Sequence, residues 1–200
     1  MKRSSLKHLL LALCLAPLNA FAASVGEPAP AFTLTDTHGQ SHSLADFRGK
    51  TVVLEWTNAE CPFVKKHYDS ANMQKQQADA VAAGVVWLTI NSGAPGKQGH
   101  VSGEQANAIQ SNWKAANTAY LIDADGTVGR AYDAKTTPHM YVIDKDGVLR
   151  YNGAIDSIAS ADKGDLANAV QYVPAALAAV ADGKAPDPAL TRPYGCSVKY

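Results

Sequence analysis

Charge is scarce in this chain, and neither sign prevails. Of 200 residues only 18% are charged, 18 Lys and Arg against 18 Asp and Glu, for a formal net charge of zero. No basic block is present that would neutralise a phosphate backbone, which argues against nucleic acid as a partner. Gly at 15 and Pro at 10 are too few for collagen-like or low-complexity sequence, and no internal repeat is visible. No apolar run reaches the roughly 20 residues of a membrane-spanning helix. Cysteine is scarce too, present only as Cys14, Cys61 and Cys196. What is there is 46% hydrophobic residues, enough to bury the core of one ordinary globular domain.

The first residues read as an export leader. Lys2, Arg3 and Lys7 precede a short apolar run from Leu9 to Leu18, and Ala20-Phe21-Ala22 supplies a small-residue cleavage site. Residues 1–22 are therefore expected to be a signal peptide cut after Ala22, leaving no membrane anchor. Leu13 is too bulky before Cys14 for a lipoprotein signal. Removing the three leader bases leaves 15 bases against 18 acids, a mildly acidic mature chain with two cysteines. The expected location is an oxidising one, the bacterial periplasm.

In the mature chain, Phe32 to Asp36 and Ser41 to Leu44 flank a His38-Gly39 turn and predict a hairpin. Thr51 to Trp56 is a nearly continuous apolar run, as a buried central strand requires. Pro62 suits the first turn of a helix, predicted over Val64 to Ala83, and Val85 to Ile90 follows as a second buried strand. Asn91 to Val101 is glycine-rich and irregular. Ser102 with Gln105 is a capping box opening a helix to about Ala116. A strand at Ala119 to Ile122 and a short helix near Val128 to Tyr132 form a β-α insertion. A hairpin over Met140 to Tyr151 turns at Asp144 to Gly147, and a final helix is predicted over Asp165 to Ala181. The fold class is α/β: a mixed sheet flanked by helices over residues 23–185, followed by a Pro-rich tail, 186–200, carrying Cys196. Ligands of such sheets bind beyond the carboxyl ends of the parallel strands, where Cys61 and the Asn91 loop both lie.

A thiol at a helix N-terminus faces unpaired backbone N–H groups, which favour thiolate. Lys65 and Lys66 add positive charge in the first turns, and Glu60 opposes them. The same two cysteines could equally form an inert disulfide; closing a loop of 135 residues would stabilise the domain by about 4–5 kcal/mol in the chain-entropy model. Glu55, inside an apolar strand, needs a partner or a raised pKa. His38, His42, His67 and His139 have no convincing metal spacing, so neither metal nor cofactor is expected.

The segment Trp56 to Val64, Trp-Thr-Asn-Ala-Glu-Cys-Pro-Phe-Val, resembles the active-site turn of thioredoxin-like proteins, and Thr137-Pro138-His139 resembles their cis-proline loop. The opening from Gly26 to Gly39 and the insertion Tyr120 to Gly126 are similar to the alkyl hydroperoxide reductase and thiol-specific antioxidant branch, including its peroxiredoxin-like subgroup, whose ending resembles Tyr194 to Lys199. The resemblance implies a thioredoxin-like fold with Cys61 as nucleophile and Glu55 as a proton-shuttling acid. It also implies that the backbone of Thr137, before Pro138, is free to pair with an extended substrate. Val64 replaces the usual second cysteine, so Cys196 is the resolving partner within one chain. Asn58 stands where peroxiredoxins carry a peroxide-polarising Thr.

The implied activity is thiol-disulfide exchange or peroxide reduction, with a thiol or disulfide protein or a peroxide as substrate and an external thiol as reductant. The competing reading is a redox-inert binding module with a structural Cys61–Cys196 disulfide. The two differ in reducibility, since structural disulfides fall below about −300 mV.

Overall fold

In the computed structural model, which describes residues 23–200, the chain opens with strands β1 (Thr33–Asp36) and β2 (Ser41–Ser43). Asp36 closes this hairpin, its Oδ1 accepting the N–H groups of His38 and Gln40 at 2.8 and 2.9 Å. The leader expected over residues 1–22 lies outside the described residues.

The apolar run after the hairpin forms β3 (Val52–Trp56), buried at every position. Helices α1 (Pro62–Asp69) and α2 (Asn72–Ala82) follow where one helix over Val64 to Ala83 was expected. The break is local: Ser70 Oγ donates to the carbonyls of Lys66 and His67 at 2.6 and 3.2 Å, and Ala71 turns to φ 60°. A hydroxyl that bonds the preceding turn competes with continuation of the helix. Strand β4 (Val86–Asn91) then returns parallel to β3, pairing Val52 with Val86 through Trp56 with Ile90.

Helix α3 (Gly103–Trp113) starts at the expected capping box, with Ser102 Oγ accepting from Gln105 N–H and Gln105 Oε1 accepting from Ser102 N–H. Strand β5 (Ala119–Ile122) and helix α4 (Thr127–Ala131) form the insertion. Strands β6 (Thr136–Thr137), β7 (His139–Ile143) and β8 (Leu149–Gly153) precede α5 (Tyr172–Ala181). The helix expected from Asp165 thus starts seven residues later. Pro174 explains this: it has no N–H to give, so it fits the first turn of a helix and not the middle. Residues 163–167 form only a 3-10 turn capped by Asp162.

The main sheet has the order β2-β1-β5-β4-β3-β7-β8, with β3, β4 and β5 parallel. Alternate residues of each strand face opposite sides. Leu54, Trp56, Leu88, Ile90 and Tyr141 pack on one side, and Val53, Trp87, Met140 and Val142 pack on the other with Val64, Tyr68 and Met73 of the helices. Fully burying each large side chain stabilises the fold by roughly 1.5–3 kcal/mol. Among the described residues no helix is long and apolar enough to cross a membrane.

The tail is part of this architecture. Asn152 N–H donates to Ala189 O and Thr191 N–H donates to Asn152 O, both at 3.1 Å. The last strand, β9 (Cys196–Ser197), pairs antiparallel with β6, opposing Thr137 to Cys196.

Candidate active site

Backbone bonding sets the position of Cys61. Thr57 N–H donates to Ile90 O at 2.9 Å, carrying the chain past the end of β3 beside β4. Asn58 then makes the turn: its Oδ1 accepts from Glu60 N–H at 2.8 Å, and its carbonyl accepts from Cys61 N–H at 3.0 Å. Pro62 opens α1, so Cys61 is its N-cap, fully buried. The Asn91 to Val101 loop covers this turn. A Cβ on Gly99, at φ +85°, would overlap the Asn58 side chain, which is why glycine stands there. Thr57, Asn58, Gly99, Thr137 and Lys199 share a crevice of about 10 Å³, room for about one water molecule.

The peptide from Thr137 to Pro138 is cis, and the Thr137 carbonyl lies 3.1 Å from Cys61 Sγ. The backbone of Thr137, expected to be free for a substrate, is instead occupied by β9 of the same chain. The physical reason is that Tyr194, Val198 and Tyr200 anchor the tail on both sides of β9, so it lies down as a strand where a loose end would leave the edge open. This brings Cys196 to Cys61: both are free thiols, within hydrogen-bonding reach of each other.

The two thiols titrate in opposite directions. Burial works to raise the pKa of Cys61, but the Cys196 thiol, the N–H groups of Val64 and Cys196, and Thr137 outweigh it and hold the group below the ordinary thiol range. Cys61 makes no side-chain capping bond, so the start of α1 acts on its sulfur through the partial positive charge of its N–H groups. Cys196 is pushed up to about 12, first by burial, then by its hydrogen bond and charge interaction with Cys61. Of the two, Cys61 is therefore the more readily ionised sulfur and Cys196 the one that keeps its proton. Of the two lysines expected to add positive charge there, Lys66 is turned into a buried ion pair with Asp156.

Glu55 is fully buried and, among the described residues, has no lysine partner. Its carboxylate accepts from Tyr68 Oη at 2.9 Å, Trp87 Nε1 at 2.8 Å, Gln77 Nε2 at 3.1 Å and Thr89 Oγ1 at 3.2 Å. Burial dominates these four donors and raises its pKa. By strand alternation it faces the same side of the sheet as Cys61, although no hydrogen bond links the two. His139 is a packed residue. Its Nδ1 accepts from Lys135 N–H at 3.2 Å, Nε2 lies 2.8 Å from Asn152 Oδ1, and burial holds its pKa at about 4.

The AhpC/TSA family pattern matches residues 25–152. This chain belongs to the AhpC/TSA family. It is 29% identical over 136 residues to the thiol-disulfide oxidoreductase ResA of Geobacillus kaustophilus, covering 64% of this chain and 68% of that protein. It is 28% identical over 152 residues to the thiol:disulfide interchange protein DsbE of Pseudomonas aeruginosa, covering 72% and 75%. A crystal structure of an uncharacterized conserved protein from Geobacillus kaustophilus superposes with a TM-score of 0.74 at 28% identity, covering 88% of this chain and 92% of that one. The fold is thioredoxin-like, and the relatives support a redox role of the thiol-disulfide class.

In this AhpC/TSA chain one group of site residues escaped sequence reasoning. Lys66 Nζ, fully buried, donates to Asp156 Oδ2 at 3.1 Å and Ile158 O at 3.2 Å, and Tyr194 Oη donates to Asp156 Oδ1 at 2.5 Å. His67 joins them, its Nε2 lying 3.2 Å from the Tyr194 hydroxyl; burial holds its pKa at about 4. Lys66 sits 90 residues before Asp156 and 128 before Tyr194. No local pattern could have joined them. Among the described residues no cluster of His, Cys, Asp or Glu could hold a metal ion.

Proposed function

We propose that the chain is an exported thiol-disulfide oxidoreductase with Cys61 as nucleophile and Cys196 as resolving cysteine. The observation that carries the reading is the pairing of two free thiols, one with its pKa lowered and the other with its pKa raised, across the Thr137 peptide. The Cys61 thiolate attacks one sulfur of a partner disulfide, forming a mixed disulfide and releasing the partner's first thiolate, which takes up a proton. Cys196 then loses its proton and attacks Cys61 Sγ, releasing the partner's second thiol and leaving Cys61–Cys196 oxidised. The partner has gained two electrons and the chain has lost them; an external thiol reverses the change. No cofactor takes part. Because Cys61 is fully buried and β9 lies along β6, a protein partner reaches the sulfur only when the tail lifts.

The role proposed for Glu55 is to take or give the proton of the resolving thiol, which its raised pKa suits. Thr137, Pro138 and Asn58 form the wall that an incoming partner would meet. The test is equilibration of the reduced chain with glutathione mixtures of known ratio. A Cys61–Cys196 disulfide with a potential above about −300 mV supports the reading; a lower one makes the bond a structural staple.

A further inference from the structure

We infer that Tyr194 is the positioning residue for Cys196, setting where the last strand presents its thiol to Cys61. The inference rests on Cys196 being the resolving cysteine. Its ground is the way the tail is tied to the helix that begins at Cys61. Phe63, Lys66 and His67 occupy one face of α1 at the i, i+3, i+4 spacing, and all three meet Tyr194. The Phe63 ring meets the tyrosine ring edge-on with centroids 5.8 Å apart, and Lys66 Nζ lies 5.6 Å from the ring centroid.

The tyrosine hydroxyl is fully committed. Asn72 Nδ2 donates to His67 Nδ1 at 2.8 Å, which leaves the proton on Nε2 to be donated to Tyr194 Oη. That oxygen also lies 3.5 Å from Lys66 Nζ, while its own proton goes to Asp156. One residue separates this anchor from Cys196, and it is Gly195 at φ +133°, where a Cβ would run into the Thr137 carbonyl. The one-residue link between Tyr194 and Cys196 is thus packed directly against the Thr137 carbonyl. Beyond the cysteine, Val198 N–H donates to Lys135 O at 3.0 Å and Ala94 N–H donates to Lys199 O at 2.8 Å, completing the span.

The energetics of the cluster favour positioning over stability. The Lys66 and Asp156 side chains are both wholly buried. Taking two charges out of water costs about as much as their attraction returns, so an apolar pair would hold the tail at least as well. What an apolar pair would not do is hold one hydroxyl at one place. Fixing that place in the reduced chain removes the search that Cys196 would otherwise make for Cys61, which raises its effective concentration.

Tyr194→Phe keeps the ring and deletes the hydroxyl. In glutathione mixtures the equilibrium constant for the Cys61–Cys196 disulfide should fall by about 10- to 100-fold, a rise of about 30–60 mV in potential. A role that only stabilises the fold would act equally on both redox states and leave the potential unmoved. Phe63→Leu, at a half-buried position, should shift the same equilibrium in the same direction by a smaller factor. The inference is overturned if neither variant moves the equilibrium by more than twofold. If the wild-type chain forms no Cys61–Cys196 disulfide, the reading of Cys196 as resolving residue falls, and the inference with it.

Discussion

Cys61 and Cys196 meet at one residue: Cys61 Sγ lies 3.1 Å from the Thr137 carbonyl, and Cys196 is the antiparallel partner of Thr137 between β9 and β6. The relation couples the chemistry of the thiols to the docking of the tail. The contact that pairs the thiols therefore also covers the site.

Gly195→Ala tests that closure. The new Cβ would collide with the Thr137 carbonyl at a backbone angle unfavourable for any side chain. The tail should lift, raising the rate of Cys61 alkylation by a bulky maleimide at least tenfold at fixed pH, read by mass spectrometry of the labelled peptide. An unchanged rate would mean that β9 does not gate access.

Cys196→Ala removes the foremost of the donors that lower the Cys61 pKa. The midpoint of the alkylation rate against pH should lie below the ordinary thiol value in the wild type and move upward in the variant. A folded pKa held below its unfolded value gives stability that is present above the unfolded pKa. It is lost as pH falls through the folded value. Between those two values the wild type should accordingly gain stability with rising pH relative to Cys61→Ala, measured by urea unfolding.

Glu55→Gln should reverse that pH trend at the acid end. Burial raises the Glu55 pKa, so its contribution to stability is complete below the unfolded value of about 4.5 and is lost as pH rises through the folded value. Glutamine keeps an acceptor for Trp87, Gln77 and Thr89 and carries no charge. The variant's stability relative to wild type should therefore grow from pH 4 to pH 8 in urea titrations; a constant difference would remove the buried ionisation.

Lys66→Met leaves Asp156 buried without its cation and should destabilise the fold by about 3–5 kcal/mol, while Lys66→Met with Asp156→Leu should recover much of the loss. Denaturant midpoints of the three proteins check this. If the double variant is the least stable, the pair is a net stabiliser.

Much of the fold was legible because its signals are short-range. Val52 to Trp56 announces a buried strand by composition, Ser102 and Gln105 cap a helix three residues apart, and Pro62 places Cys61 at a helix start. The misread elements failed for equally local reasons: Ser70 bonded back to the turn before it, and Pro174 needed the first turn of its helix.

By itself the sequence determined the α/β order, the loss of any nearby second cysteine to Val64, and the placing of Cys61 at a helix N-terminus. Only the tertiary structure decided that Lys66 belongs to Asp156 and Tyr194 and does not serve Cys61, that four uncharged donors surround Glu55, and that Cys196 closes on Thr137. Caps, turns and strand runs are settled by residues a few positions apart, where chain geometry leaves few choices. Which of several charged groups meets a given partner, and in what register a tail lies on an edge, depends on contacts 59 to 128 residues apart along the chain, which exist only once the core has brought those segments together.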